Sequence, residues 1–279
     1  MGRTLIIDGM NIAYKAYFKM PQLQDKKGSN SATIYGFLRI LNSAYNIIKP
    51  WNLIVTWDSK RNFRKEIDST YKQKRKKEQD ASFFQFIKQI KELKKHFPKI
   101  GIPSCEVEGY ESDDVIATLV NSPINLPAVI YSSDNDLYQL LCGYVSVFTG
   151  KNTYTDEQFV EDYGYDPYLF PIYKAIAGCN SDNVKGVSNI GEKKAKDLMR
   201  RCEYDIDKIY KEIDKLKYTK QFNHALRLVT LPLEMEDFVP ITMIEHLKIN
   251  REYLNKFFYD YNIQSISVTD FLQKTKPTS

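Results

Sequence analysis

The sequence is poor in the side chains that hold soft metals. It has three histidines and four cysteines, Cys105, Cys142, Cys179 and Cys202, with no Cys-x-x-Cys pair. Structural zinc needs such ligands at close spacing, so no zinc finger or ribbon is expected. The opening "MGRTLIIDGMN" has too short an apolar run for a secretory leader and reads as a mature start leading into a strand. Without a leader, the thiols read as reduced and the setting as cytoplasmic. No stretch of eighteen apolar residues occurs, which argues against a membrane-spanning helix and a membrane partner. Met1-Gly2 does not complete a myristoylation signal, because position 6 is Ile6. Net charge is small as well: 40 basic against 35 acidic residues leave +5.

What is present is a globular composition, 43% apolar and 27% charged, over a length that allows one large domain or two modest ones. The positive charge is concentrated. Residues 60–99 hold fourteen Lys/Arg against five Asp/Glu. A basic run alone reads as a solvated helix face. Here Phe63, Tyr71, Phe83, Phe84 and Phe86 interleave with it. Cations for phosphate and rings for bases together suit single-stranded nucleic acid.

Apolar runs at 4–8, 52–58 and 128–134 read as strands that each end in aspartate, and 145–149 reads as another strand. Helical periods run over 32–49, 83–97 and 110–120, with a short helix at 137–141. Strand and helix alternate to about residue 150, which predicts an α/β fold with a mainly parallel sheet and helices on both faces. The second half reads as mostly α, joined through a connection at 150–166. The tail "KTKPTS" is expected to fray.

Asp8, Asp58, Asp134 and Asp136 thus stand at strand ends, and Glu111, Asp113 and Asp114 open a helix. A parallel sheet sends its strand ends to one edge, where ligands bind. One such aspartate is ordinarily a helix cap; all of them together are not. Clustered carboxylates raise one another's pKa unless cations sit among them. Oxygen donors without His or Cys select Mg²⁺, with Mn²⁺ as substitute. Two such ions, about 4 Å apart, can drive phosphodiester hydrolysis. Other acid-rich phosphate enzymes fit worse. "DGMN" has Met10 where a haloacid-dehalogenase-type phosphatase needs a second acid, and a toprim reading of Asp134-Asn135-Asp136 leaves Asp8 and Asp58 without work.

"GVSNIGEKKAKDL" (186–198) places Gly186 and Gly191 around a short turn before a Lys-rich helix, with Lys185, Lys193, Lys194 and Lys196 nearby. Amide groups at such a turn hold phosphate without reading bases. A plain packing joint is the alternative on this motif alone. Asn189 stands where a glycine is customary, and asparagine tolerates left-handed geometry better than most residues.

Taken in order, these segments resemble the 5′-nuclease family: flap endonucleases, phage 5′→3′ exonucleases and the 5′-nuclease domain of bacterial DNA polymerase I. "IIDGMNIAYKAYF" is similar to the first acid motif, and "VTWDSKRNFRKEIDSTYKQKR" to the second with the Tyr-Lys-x-x-Arg that follows it. "GYESDDVIATL" and "YSSDNDLYQLL" resemble the third and fourth, and "AGCNSDNVKGVSNIGEKKA" the fifth with its helix–three-turn–helix. The match runs over about 1–215, and with no polymerase domain following, the chain looks like a stand-alone, phage-type enzyme.

The resemblance implies a PIN-like catalytic domain over 1–165, with a helical arch at about 60–100. It also implies a helical duplex-DNA-binding domain over 166–279, with the helix–three-turn–helix at about 174–202. The implied activity is Mg²⁺-dependent flap endonuclease and 5′→3′ exonuclease cleavage of DNA, leaving 5′-phosphate, in replication or repair, with RNA primers on DNA as further substrates. The implied first metal set is Asp8, Asp58, Glu111, Asp113 and Asp114; the second is Asp134, Asp136 and Asp182, with some sharing. Lys72, Arg75 and Asp113 would be catalytic, with Lys72 touching the scissile phosphate; Arg75 and Arg64 would steer the strand, with Tyr71 in the same DNA-binding segment. Lys185, Gly186, Gly191, Lys193 and Lys194 would meet duplex phosphates, and Gly186, Ser188 and Gly191 would frame a K⁺ turn. The protein would be a monomer in a bacterial or phage-infected cytoplasm, binding branched or nicked DNA, with a replication-protein partner left open.

One position departs. The family pattern Gly-Asp-x-x-Asp-Asn is here Gly178-Cys179-Asn180-Ser181-Asp182-Asn183. Sulfur is a poor Mg²⁺ ligand, so the second ion is expected to be held more weakly, and Cys179→Asp to relieve that. A DNA-junction binder with little catalysis and a PIN-type ribonuclease are the competing readings. The retained acids weigh against the first, and the basic arch and hairpin turn against the second.

Overall fold

The computed structural model describes residues 2–19, 23–74, 81–122, 127–234 and 246–273. Four of its strands form where apolar runs end in or near an acid or a turn: β1 (Thr4–Asp8), β2 (Asn52–Trp57), β4 (Ala128–Tyr131) and β5 (Val145–Phe148). Two more, β3 (Ser104–Glu106) and β6 (Thr153–Tyr154), are too short to show a period. The sheet order is β3-β2-β1-β4-β5-β6. Every pairing is parallel except β5 with β6. Asp8 pairs with Thr56 and Ile7 with Tyr131, so β1, β2 and β4 end at one edge. The order reverses at β1, which opens a crevice there.

Helices cover both faces, and strand alternation sorts the side chains. Leu5, Ile7, Leu53, Val55 and Trp57 face one core; Ile6, Ile54 and Ile130 face the other. The first core is covered by α1 (Gly9–Lys19), α2 (Ala32–Ile48) and α4 (Ala81–Ile100). Gln89 of α4, itself buried, accepts from the amides of Thr33 and Ile34. It thereby caps α2, whose Ser31 makes no side-chain cap. The second core is covered by α5 (Ser112–Val120), α7 (Phe170–Ala177), α8 (Glu192–Arg201), α9 (Ile206–Lys215) and α10 (Thr219–Val229).

Three expectations change. The connection at 150–166 carries β6 and α6 (Asp156–Tyr163), and its Phe159 is fully buried. A Thr155–Gln158 capping box starts α6. Residues 166–279 are not one helical body. Segment 246–273, with α11 (Arg251–Asp260), packs Leu254, Phe257, Phe258 and Phe271 into the core of α2 and α4, across the sheet from α7–α10. Most of the 60–100 span is anchored too. The short α3 (Phe63–Ile67) buries Arg64, and α4 buries Phe86, Ile90, Leu93, Phe97 and Ile100. Arg75 lies outside the described residues.

Between α7 and α8 the chain turns tightly. Gly178 closes α7 at φ +83°, and Cys179 and Val184 exchange backbone hydrogen bonds of 2.9 Å. Asn189 has φ +62°, the left-handed geometry for which asparagine is suited. Gly186 packs against Gly178: a Cβ there would lie 2.2 Å from the Gly178 nitrogen and 2.4 Å from the Ile176 oxygen. At Gly191 a Cβ meets nothing within 4 Å. Gly186→Ala is therefore expected to cost about 1–3 kcal/mol of stability. Gly191→Ala is expected to leave the unfolding midpoint nearly unchanged. Denaturant titration of both variants checks the pair.

Candidate metal centre

The carboxyl edge of the sheet holds the acids that the sequence placed there. Asp8 ends β1 and is 5% exposed. Its Oδ1 accepts from the Asn11 amide at 3.1 Å and its Oδ2 from the Ser132 hydroxyl at 2.8 Å. Asp58 follows β2 and accepts from the Ser112 amide at 2.8 Å. Asp134 follows β4 and caps the 3₁₀ turn Asn135–Leu140 by accepting from the Asp136 amide at 2.9 Å. Glu111 and Asp113 stand at the start of α5. Asp8, Asp58 and Asp134 are thus fixed by backbone or hydroxyl donors, some from the same turn and some from a neighbouring segment.

Their mutual repulsion is plain in their titration. Burial, then the charge of Asp58, pushes the Asp8 carboxyl up to about 7. Burial, then Asp134 and Asp8, raises Asp113 well above its ordinary value. Burial, then Glu111, raises Asp58. Glu111 goes the other way: its burial is outweighed by Lys72 and Arg64, which hold it below the usual carboxylate range.

A second group adjoins the first. Ligand atoms of Asp136, Cys179 and Asp182 all lie within 4.8 Å of one another. The Tyr71 hydroxyl bridges the groups, 2.9 Å from Glu111 Oε2 and 3.3 Å from Asp182 Oδ2. Lys72 lies between them also. Its Nζ is 2.5 Å from Glu111 Oε1 and 3.9 Å from Asp182 Oδ2, and its amide donates to the Asp182 carbonyl at 2.7 Å. Asp134, expected with the second group, acts electrostatically on Asp8 and Asp113 of the first.

Several expected roles do not survive the geometry. Arg64 is 2% exposed and forks onto Asp114 at 2.5 and 2.7 Å. It also donates to the carbonyls of Leu228 and Thr230. It cannot steer a strand from there. Asp114, 0% exposed, spends both oxygens on Arg64 and also accepts from the amides of Glu111 and Leu233. It is a structural anion, not a metal ligand. Tyr71 is buried and offers no face to a base. Lys72 faces carboxylates, whereas Lys185, Lys193 and Lys194 are exposed around the α7–α8 turn. The Gly186 carbonyl, expected to face K⁺, accepts from the Gln221 amide at 2.6 Å, and the Ser188 hydroxyl lies 3.1 Å from Gln221 Oε1. Gln221 carried no sequence signal. Lys174, which pairs with Asp136, did: it is the lone cation on the apolar α7.

Convergent, half-buried carboxylates with raised pKa values form a site that divalent cations would relieve. Their donors are nearly all oxygen, which suits Mg²⁺ or Mn²⁺. Among the described residues, no helix is long and apolar enough to cross a membrane.

The profile of the 5′-3′ exonuclease N-terminal resolvase-like domain matches residues 3–164. A 5′-3′ exonuclease of Aquifex aeolicus is 34% identical over 92% of this chain and 90% of its own length. DNA polymerase I of Caldicellulosiruptor bescii is 37% identical over 77% of this chain, but that match spans only 26% of the polymerase. Among solved structures, the T5 D15 protein co-crystallised with metal ions superposes with a TM-score of 0.67 at 24% identity, over 82% of this chain and 90% of that one.

Two outcomes are expected. Arg64→Ala strands Asp114 in the core and should cost about 3–5 kcal/mol in an unfolding titration, with Arg64→Lys failing to restore the fork. In chelator, the folded chain keeps a proton on Asp8 up to about pH 7, against 3.8 for the ordinary carboxyl. Stability from this group is present at acid pH and is lost as the pH rises through that window. The metal-free melting temperature should fall across it, and Asp8→Asn should flatten the fall.

Proposed function

The chain belongs to the 5′-3′ exonuclease family, and on that premise we propose that it is a structure-specific 5′ nuclease acting on DNA. The observation that carries this is the acid pocket at the sheet edge, flanked by a strongly basic segment. In finer terms the proposed activity is flap endonuclease and 5′→3′ exonuclease cleavage, leaving 5′-phosphate, in replication or repair. RNA primers paired to DNA are proposed as further substrates. The chain spans about a quarter of the DNA polymerase I relatives, so their polymerising activity is not carried over.

Asp8, Asp58, Glu111 and Asp113 would hold one Mg²⁺, for which Mn²⁺ would substitute; Asp136 and Asp182 would hold a second divalent ion, with Asp134 serving both. Such ions lower the pKa of water and neutralise charge building on the phosphate. The chain's own residues do the rest. Asn11 and Ser132 aim Asp8 by donating to its two oxygens, and Ser112 aims Asp58 by donating to one of its own. Tyr71 is a positioning residue, joining Glu111 to Asp182. Lys72 is the cation placed among the acids and is proposed to meet the scissile phosphate. Arg75 is proposed to guide the displaced strand.

The α7–α8 turn is proposed to act as the helix–three-turn–helix. Exposed Gly191 leaves the amides at the α8 start open, and Lys185, Lys193 and Lys194 surround them. Contacts of this kind hold phosphates and read no bases, which fits recognition of shape. A K⁺ ion at Gly186, Ser188 and Gly191 would displace the Gln221 amide. The proposed state is a monomer in the cytoplasm.

The test is a 5′-flap DNA with Mg²⁺. Asp58→Asn and Asp134→Asn should each lower cleavage by more than about a hundredfold, beyond the loss expected of a group that only supports a ligand, while DNA binding persists. Full activity in either variant removes the metal assignment, and binding without cleavage in the wild type leaves a junction binder. Flaps of DNA and RNA compared side by side decide the substrate. Raising salt from about 50 to 200 mM should weaken binding steeply. A flat response would contradict the phosphate-contact reading.

A further inference from the structure

Cys179 is the member of the pocket that the proposed nuclease does not use. It is 9% exposed, and its Sγ lies 3.1 Å from the Ser181 hydroxyl. The Cys179–Val184 bridge pins its backbone on both sides of the hairpin that carries Asp182. Asp136 arrives from the turn after β4. The sequence set zinc aside because no two thiols or imidazoles lie close along the chain. The fold instead brings one thiol to two carboxylates, with all three ligand atoms within 4.8 Å.

Two ammonium groups face this set. Lys174 pairs with Asp136, and Lys72 Nζ lies 3.9 Å from Asp182 Oδ2. Lys174 thus engages Asp136, while Lys72 is held more closely by Glu111, at 2.5 Å, so the ammonium groups offset only part of the negative charge here. Mg²⁺ demands near-octahedral oxygen and gives up its waters reluctantly. A thiolate ligand adds both charge and a soft bond, which a borderline ion exploits and Mg²⁺ does not.

We propose that Asp136, Cys179 and Asp182 form a mixed oxygen–sulfur site that takes a borderline divalent ion, of the Zn²⁺ or Co²⁺ kind, ahead of Mg²⁺. The thiol proton passes to solvent as the ion binds. The inference rests on the reading of this edge as a metal centre. The nuclease would then use unlike ions in its two positions: oxygen donors alone on the β1–β2 side, and a thiolate on the α7–α8 side.

Co²⁺ titration of the full chain reads the site through sulfur, because a thiolate ligand gives a near-ultraviolet charge-transfer band that carboxylates do not. The band should appear in the wild type and persist in excess Mg²⁺. It should also survive replacement of Cys105 and Cys142 by Ser, and vanish in Cys179→Ser. Cys179→Asp should bind Co²⁺ without the band and yield it to Mg²⁺. Calorimetric Co²⁺ binding with no band in the wild type overturns the proposal. So does a band that survives Cys179→Ser or one that excess Mg²⁺ erases. The readout needs no DNA, so a chain that shows the band yet cuts no flap sinks the nuclease reading alone.

Discussion

Repulsion between carboxylates at one edge of a parallel sheet is the constraint on which the rest of this structure turns. Parallel pairing forces β1, β2 and β4 to end together, and each end is followed closely by an acid. Turns that use those acids as caps and hydroxyl acceptors fix them in place. Asp8, Asp58 and Asp134 cannot relax the crowding without losing a hydrogen bond. Raised titration of Asp8, Asp58 and Asp113 is the cost, which bound cations would relieve. That cost is hard to explain as structure alone, because apolar residues at those positions would fold more easily.

Asp114 leaves the crowd by being neutralised in the core. Arg64 takes both oxygens of Asp114 and reaches two carbonyls near the end of α10. The pair therefore joins three distant pieces: the α3 turn after β2, the start of α5, and the α10 end. An unpaired charge at zero exposure would cost more than the pair itself is worth, so the geometry is held by the penalty for breaking it. By seating the start of α5, the pair also sets where Glu111 and Asp113 point.

The parts legible in the sequence were those fixed by local pattern. Apolar runs closed by aspartate gave β1, β2 and β4, and the parallel-sheet rule brought Asp8, Asp58, Asp113 and Asp134 into reach of one another. What escaped was decided by long-range pairing. Arg64 sits in a basic run and looks like a nucleic-acid contact; its partner lies fifty residues away. Nothing near Asp114 distinguishes it from Asp113, yet one faces the pocket and the other the core. The helical period around Leu254, Phe257 and Phe258 is clear, but period alone does not say which face of the sheet a helix covers. β3 and β6 are too short for any pattern to emerge.

The loop after α3 makes the pocket and the α7–α8 turn one mechanical unit. Asp68 pairs with His224 of α10 at 3.0 Å, the Thr70 carbonyl accepts from Asn183 at 2.9 Å, and the Lys72 amide donates to the Asp182 carbonyl. Lys72 holds a left-handed φ of +55°, a strain that such neighbours sustain. The hairpin that supplies Asp182 and Cys179 is the same one that Gly178 and Gly186 lock against α7. A duplex docked on the exposed lysines of α8 would therefore bear on the segment that presents Lys72 to the acids. Recognition of DNA shape and placement of the cleaving groups would then share one set of backbone hydrogen bonds, with no hinge needed between them. On the proposed reading, specificity for a junction would come from where the two meet, because phosphate contacts carry no sequence information.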